Sequence, residues 1–176
     1  MLSGHLPLLN KSSRHSKIAG EFFEHLVLYW LSKYGLECAR IDHVGIDLLA
    51  KHPDREERLG ISVKGRTRNI GKETEHLNIP NDNFDKAEAA CKAFGCTPYF
   101  AIVIDSGQNI SAFILPMAEL LRLFPRGERV SVWKMTPRYL AQYSQNPKIV
   151  QFSFSHNIHQ WFDHQISSEN IGEPYI

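Results

Sequence analysis

Cysteine is scarce in this chain: three residues in 176, at Cys38, Cys91 and Cys96. An odd, small set with no Cys-x-x-Cys pair excludes a disulfide framework and a zinc ribbon. Free thiols in a reducing compartment, the cytoplasm, are the expectation. Long apolar runs are also missing, and none approaches the roughly 18 residues of a membrane span. The apolar start, Met1 to Leu9, lacks the length and the basic segment of a secretory signal. A soluble protein with no membrane partner is expected. Net charge is nearly absent, at +1. A polyanionic partner would therefore have to meet basic charge concentrated locally, not spread over the surface. There are no internal repeats and no low-complexity tract.

What is present is an ordinary globular composition, 43% hydrophobic and 22% charged, enough for one domain over residues 1–176 to bury a core unaided. Residues 10–17 are polar and basic and read as a flexible lead-in. From Ile18 to Tyr34 the residues Phe22, Phe23, Leu26, Val27, Tyr29, Trp30 and Leu31 recur at helical spacing, and Gly35 stops the pattern. Strands are expected over 36–41, 46–50 and 59–63, with the charged segment 51–58 joining the last two. The polar stretch 65–82 reads as a long loop of the kind that often carries function. A helix is expected over 83–94, capped by Asn83 and closed by Gly95. Strands 99–104 and 110–115 are joined by Asp105-Ser106-Gly107-Gln108-Asn109 as a hairpin. Beyond Pro116 come a helix to Leu123, a strand over 130–135, a short helix over 137–143, a strand over 149–154 and a terminal helix over 158–166. The order predicts an α/β protein with a mixed sheet.

The chemistry concentrates in two of those strands. Ile46-Asp47-Leu48-Leu49-Ala50 sets a carboxylate in an apolar strand, and Gly60-Ile61-Ser62-Val63-Lys64-Gly65-Arg66 sets an amine in the next. Strand side chains alternate, so Ser62 and Lys64 share a face. An isolated Asp or Lys at a strand end is usually surface charge; the pair on adjacent apolar strands is more informative. Glu21 and Glu24, three apart on the first helix, can face one site. Arg66, Arg68 and Lys72 follow the lysine, and Lys11, Arg14 and Lys17 precede the first helix, so both groups could form a rim tracking phosphates. His25 and His43 lie beside Glu24 and near Asp47. His156, His159 and His164 fit no common ligand spacing and read as surface residues.

The set Gly20-Glu21-Phe22-Phe23-Glu24, Gly45-Ile46-Asp47 and Ser62-Val63-Lys64 resembles the PD-(D/E)xK nuclease superfamily, and within it small Holliday-junction-resolvase-like nucleases. The resemblance covers about the first two-thirds of the chain. It implies a restriction-endonuclease-like core over 18–115, with a central mixed sheet flanked by helices, and a C-terminal extension over 116–176. It implies a metal-dependent nuclease that cleaves DNA phosphodiesters by Mg²⁺- or Mn²⁺-assisted attack of water. Asp47, Glu24, Glu21 and the Val63 carbonyl would be the metal ligands. Asp47, Lys64, Glu24 and Ser62 would form the catalytic set, and Arg66, Arg68, Lys72, Lys17 and Arg14 would contact nucleic acid. A homodimer is compatible with such an activity. Ser62 departs from the pattern, since the family usually carries Glu, Asp or Gln there. A hydroxyl is a weaker ligand, and Glu21 or Glu24 could supply the missing acid. The alternative is a catalytically inactive nuclease fold that binds nucleic acid or protein. A third reading is an unrelated α/β protein in which Asp47 and Lys64 are surface charge.

Overall fold

The computed structural model describes residues 11–69, 71–106 and 109–155. The helix expected over 158–166 and the three late histidines lie outside them. In chain order the elements are α1 (His15–Lys33), β1 (Glu37–His43), β2 (Ile46–Lys51), β3 (Arg58–Thr67), β4 (Leu77–Pro80) and α2 (Asn81–Phe94). There follow β5 (Thr97–Asp105), β6 (Asn109–Pro116), α3 (Met117–Leu123), β7 (Val130–Trp133), α4 (Pro137–Ser144) and β8 (Val150–Ser155).

Six strands form one sheet in the order β1-β2-β3-β5-β6-β8, and β4 pairs with β7 in a separate two-stranded ribbon. All neighbours in the large sheet are antiparallel except β3 and β5, which run parallel from Leu59 beside Thr97 to Thr67 beside Asp105. The parallel step is made by α2, since a crossover must pass over one face of the sheet. Each face then carries its own core. On one side Phe23, Leu26, Val27 and Leu31 of α1 bury against Leu48, Ala50, Ile61, Ala101 and Val103. On the other, Phe84, Ala87 and Cys91 of α2 join Phe100, Ile102, Phe113, Trp133 and Tyr143.

Local chemistry explains the main boundaries. The buried residues of α1 lie at helical spacing, and its end is closed by Gly35 at φ 85, with the Leu36 amide donating to the Leu31 carbonyl at 3.0 Å. That is the left-handed closure glycine allows without strain. Helix α2 closes the same way at Gly95, where the Cys96 amide reaches the Cys91 carbonyl at 3.0 Å. It starts at Asn81, two residues ahead of the start expected at Asn83, with Pro80 at the cap position and no side chain capping it.

The stretch 65–82 is not one long loop. Strand β3 runs on to Thr67, and Leu77–Pro80 forms β4. Helix α1 begins at His15, inside the expected lead-in. The late segments join the fold directly: β8 pairs with β6 from Val150 beside Ile114 to Ser155 beside Asn109, and β7 pairs with β4. Glu119 on α3 ties this region together. Its side chain is 3% exposed and accepts from Arg122 at 2.7 Å and Asn146 at 2.8 Å, with Lys148 at 3.6 Å.

Candidate active site

The site begins where two strands part. The β2–β3 ladder runs from Lys51 beside Arg58 to Leu48 beside Ile61 and stops there. Strand β3 continues for six residues, held only by β5. Asp47 is the first residue of β2 beyond the ladder, and it changes how the strand sits. Residues two apart in a strand share a face, yet Ile46 packs with the α2-side core and Leu48 with the α1-side core. The alternation breaks at Asp47, whose carboxylate turns into the fork and accepts the Val63 amide at 2.7 Å. An amide that would otherwise lack a strand partner gains a charged acceptor, one of the stronger hydrogen bonds a strand can make. The N–H and C=O of one strand residue leave by the same edge. The Val63 carbonyl therefore also leaves toward the fork.

On β3 the two faces sort cleanly. Ile61 and Val63 pack on the α1 side, and Gly65 lies under the Phe23 ring, where an added Cβ would come within 2.0 Å of it. Gly60 faces Cys91 and Cys96 of the α2 side. By alternation Ser62 and Lys64 face the α2 side as well. Ser62 is 1% exposed and Lys64 half-buried. Among the described residues neither Asp47 nor Lys64 enters an ion pair, whereas Glu24, Arg68 and Lys72 do. An unpaired carboxylate and an unpaired ammonium are thus carried on adjacent strands at one fork.

Of the two helix acids, Glu24 is committed elsewhere. Glu24 is bound by Arg40 of β1 at 2.8 Å, and the same guanidinium lies 3.3 Å from the His25 ring. Glu21 is exposed and 4.0 Å from Lys17, one turn earlier. The His25 ring donates to the Glu21 carbonyl, and His43 turns to the Val44 carbonyl and stacks edgewise on Phe94. Neither acid is joined to Asp47 by a shared partner. Arg40, which holds Glu24, was not singled out from the sequence. Its signal was a lone cation inside the strand that pairs with β2.

The basic residues divide. Lys11 donates to the Thr67 carbonyl at 3.0 Å and His15 lies 3.2 Å from the Thr67 hydroxyl, so the lead-in meets the end of β3. Arg66 is exposed next to it. Arg14 is exposed at the start of α1, and Lys17 carries the weak contact to Glu21. Arg68 belongs to the interior: its side chain is 8% exposed. Its guanidinium binds the Glu75 carboxylate at 3.1 Å and the carbonyls of Glu75 and His76, so it braces the 68–76 segment from within. Burial, with Arg66 adding to it, lowers its pKa against the pull of Glu75. Lys72 is paired with Glu75 at 3.0 Å.

Among the described residues no group of three or more His, Cys, Asp or Glu is placed to hold a metal ion. The fork supplies one Asp47 carboxylate and the main-chain edge of Val63. Magnesium takes oxygen donors, commonly one or two carboxylates completed by water and substrate phosphate. The donors present fit the lower end of that range.

No protein-family profile and no curated protein sequence matches this chain. Among solved structures, it is similar to Hjc, a Holliday junction resolvase from the archaeal hyperthermophile Archaeoglobus fulgidus. The TM-score is 0.50 at 21% identity, over 65% of this chain and 88% of that one. The fold is therefore α/β and restriction-endonuclease-like, with a six-stranded mixed sheet between helical layers. No helix among the described residues is long and apolar enough to cross a membrane.

Proposed function

We propose that this chain is a metal-dependent nuclease that hydrolyses DNA phosphodiester bonds at the β2–β3 fork. The observation that carries the reading is the Asp47 carboxylate turned into the fork onto the Val63 amide, with the unpaired Lys64 on the same stretch of β3. The likeness to a resolvase fold supports it.

Asp47, with the Val63 carbonyl beside it, would hold Mg²⁺ or Mn²⁺. When bound, the ion polarises the scissile phosphate and lowers the pKa of a coordinated water. The remaining work falls to the protein. Asp47 is held by the Val63 amide, so its second oxygen is oriented before any substrate arrives. Lys64 places an ammonium against the charge that grows on the phosphate oxygens, where a fixed cation in a partly dry site is most effective. Lys11, Arg14 and Arg66, around the end of β3, would track the flanking phosphates.

The test is cleavage of duplex, single-stranded and branched DNA with Mg²⁺ or Mn²⁺. Asp47→Asn keeps an acceptor for Val63 while removing the charge, and Lys64→Met removes the ammonium. Both should lower cleavage at least about 100-fold, in the range seen when a charge-stabilising group is removed. Absence of wild-type cleavage on every substrate, with metal binding unchanged by Asp47→Asn, would sink the proposal.

A second reading is a nuclease fold that binds DNA without cutting it. Two observations favour it: Ser62 is buried where an acid is usual, and Glu24 is held by Arg40. It expects binding that weakens steeply with salt and needs no metal. Robust metal-dependent cleavage by wild type, unchanged or reduced in Ser62→Glu, would end it.

A further inference from the structure

Two of the three cysteines meet at a place the proposed site does not use. Cys91 lies in the last turn of α2 and Cys96 just past its left-handed closure at Gly95. The bond from the Cys96 amide to the Cys91 carbonyl folds the chain back over one turn. Both side chains then point at Gly60 of β3. The Cβ that Gly60 lacks would stand 2.4 Å from the Cys91 sulfur and 2.6 Å from the Cys96 sulfur, which holds the two sulfurs within about 5 Å of each other. The Cys91 thiol donates to the Gly60 carbonyl and the Cys96 thiol to the Cys91 carbonyl, each at 3.7 Å. Glycine inside a buried strand weakens it and commonly marks a close approach. Here the approach is that of two thiols, and any side chain at position 60 would strike both.

We propose that Cys91 and Cys96 are a redox-active dithiol that closes to an intramolecular disulfide by exchange with a small-molecule disulfide. A turn-spanning pair with sulfurs already this close needs only side-chain rotation to approach bonding distance, about 2 Å. Access sets the order of events. Cys96 is half-buried and Cys91 is buried, so Cys96 is the entry point. The Cys96 thiolate, its proton lost to solvent, attacks one sulfur of oxidised glutathione. A mixed disulfide forms and one glutathione thiolate leaves. Cys91 then loses its proton and attacks the Cys96 sulfur, and the second glutathione thiolate departs. The protein gives up two electrons and two protons, and the glutathione disulfide becomes two thiols. Burial, then the neighbouring Cys96, pushes the Cys91 thiol up to about 12, which makes the second step slow at neutral pH and faster in alkali.

Cys38 takes no part. It packs on the α1 face of the sheet, with its thiol toward the Leu28 carbonyl. The full chain would be incubated under native conditions with excess oxidised glutathione at pH 8. After an alkylating quench, its peptides would be mapped by mass without reduction. The expected product has lost 2 Da between Cys91 and Cys96, reverts with dithiothreitol, and keeps its far-ultraviolet circular dichroism. Cys91→Ala should stop the reaction at a glutathione adduct on Cys96. The proposal is overturned if wild type holds that adduct while Cys91 still alkylates after denaturation. It is equally overturned if both thiols stay free at equilibrium, and neither result depends on any variant folding.

Discussion

Glu119 offers a direct test of how the late segments are held to the sheet. Its carboxylate is enclosed by Arg122, Asn146 and Lys148, which hydrogen-bond or lie close to it and move its pKa from the usual 4.5 down to about 2. A group whose pKa is depressed by folding stabilises above its unfolded value, and that stabilisation is lost as pH falls toward the folded one. The window here runs from about pH 5 down to about pH 2. At about 1.4 kcal/mol per unit, the whole shift would be worth about 3 kcal/mol. Arg122 and Lys148 are 64% and 66% exposed, so water screens their share, leaving about 1–2 kcal/mol. Glu119→Gln keeps the shape and removes the charge. Urea unfolding should find it about 1–2 kcal/mol less stable than wild type at pH 7. More than half of that difference should be gone by about pH 3, where the unfolded chain has already taken up its proton. A difference that stays constant between pH 7 and pH 3, or no difference at pH 7, would refute the ionised network.

Gly65→Ala should cost about 1–3 kcal/mol in urea unfolding, because its Cβ would enter the Phe23 ring that seats α1 on β3; equal stability would show that α1 can shift freely. Asp47→Ala should destabilise by about 1–3 kcal/mol by orphaning the Val63 amide, whereas Asp47→Asn should lose less. Equal losses in the two variants would place the Val63 bond outside the fork's energetics. Arg68→Met removes the guanidinium that ties Glu75 and His76 to the end of β3. Limited proteolysis of that variant should cut between residues 69 and 76 much faster than in wild type, and an unchanged rate would deny Arg68 its bracing role.

Most of the fold was readable because burial leaves periodic traces. Helix α1 shows its apolar face and its closing glycine, and β5 and β6 show continuous apolar runs around a turn. The errors fall where burial is one-sided. Gly65, Arg66 and Thr67 carry no apolar pattern, yet they are strand because β5 holds them on one edge while β2 has parted on the other. Leu77-Asn78-Ile79-Pro80 does alternate, with Leu77 and Ile79 buried. Four residues inside a polar stretch are too few to read, and the partner strand β7 begins about fifty residues later. Arg68 lies in the interior for a related reason. A cation in a polar segment looks like surface until the fold shows two carbonyls and a carboxylate closing over it.

Asp47 and Lys64 were legible because charged residues inside apolar strands stand out; what could not be read was how the other acids would be spent. In the sequence Glu24 stands free to serve the fork, but its partner Arg40 is sixteen residues away and reaches it only once β1 lies beside α1. The charge balance of the fork follows from this. With Ser62 in place, one carboxylate and one ammonium leave the fork neutral before any ion enters. A second acid would leave it net negative, and a divalent cation would then be drawn more strongly. Ser62 is also buried on the α2 side, so a carboxylate there would pay desolvation unless a cation met it. Both arguments give one direction for Ser62→Glu. The variant should be less stable than wild type without metal and should regain stability as Mn²⁺ is added. The size of that recovery, read as the shift of the unfolding midpoint with metal concentration, measures how far the natural serine has lowered cation affinity. A Ser62→Glu protein whose midpoint ignores Mn²⁺ would place position 62 outside the metal's reach, and the fork would then have to act through Asp47 alone.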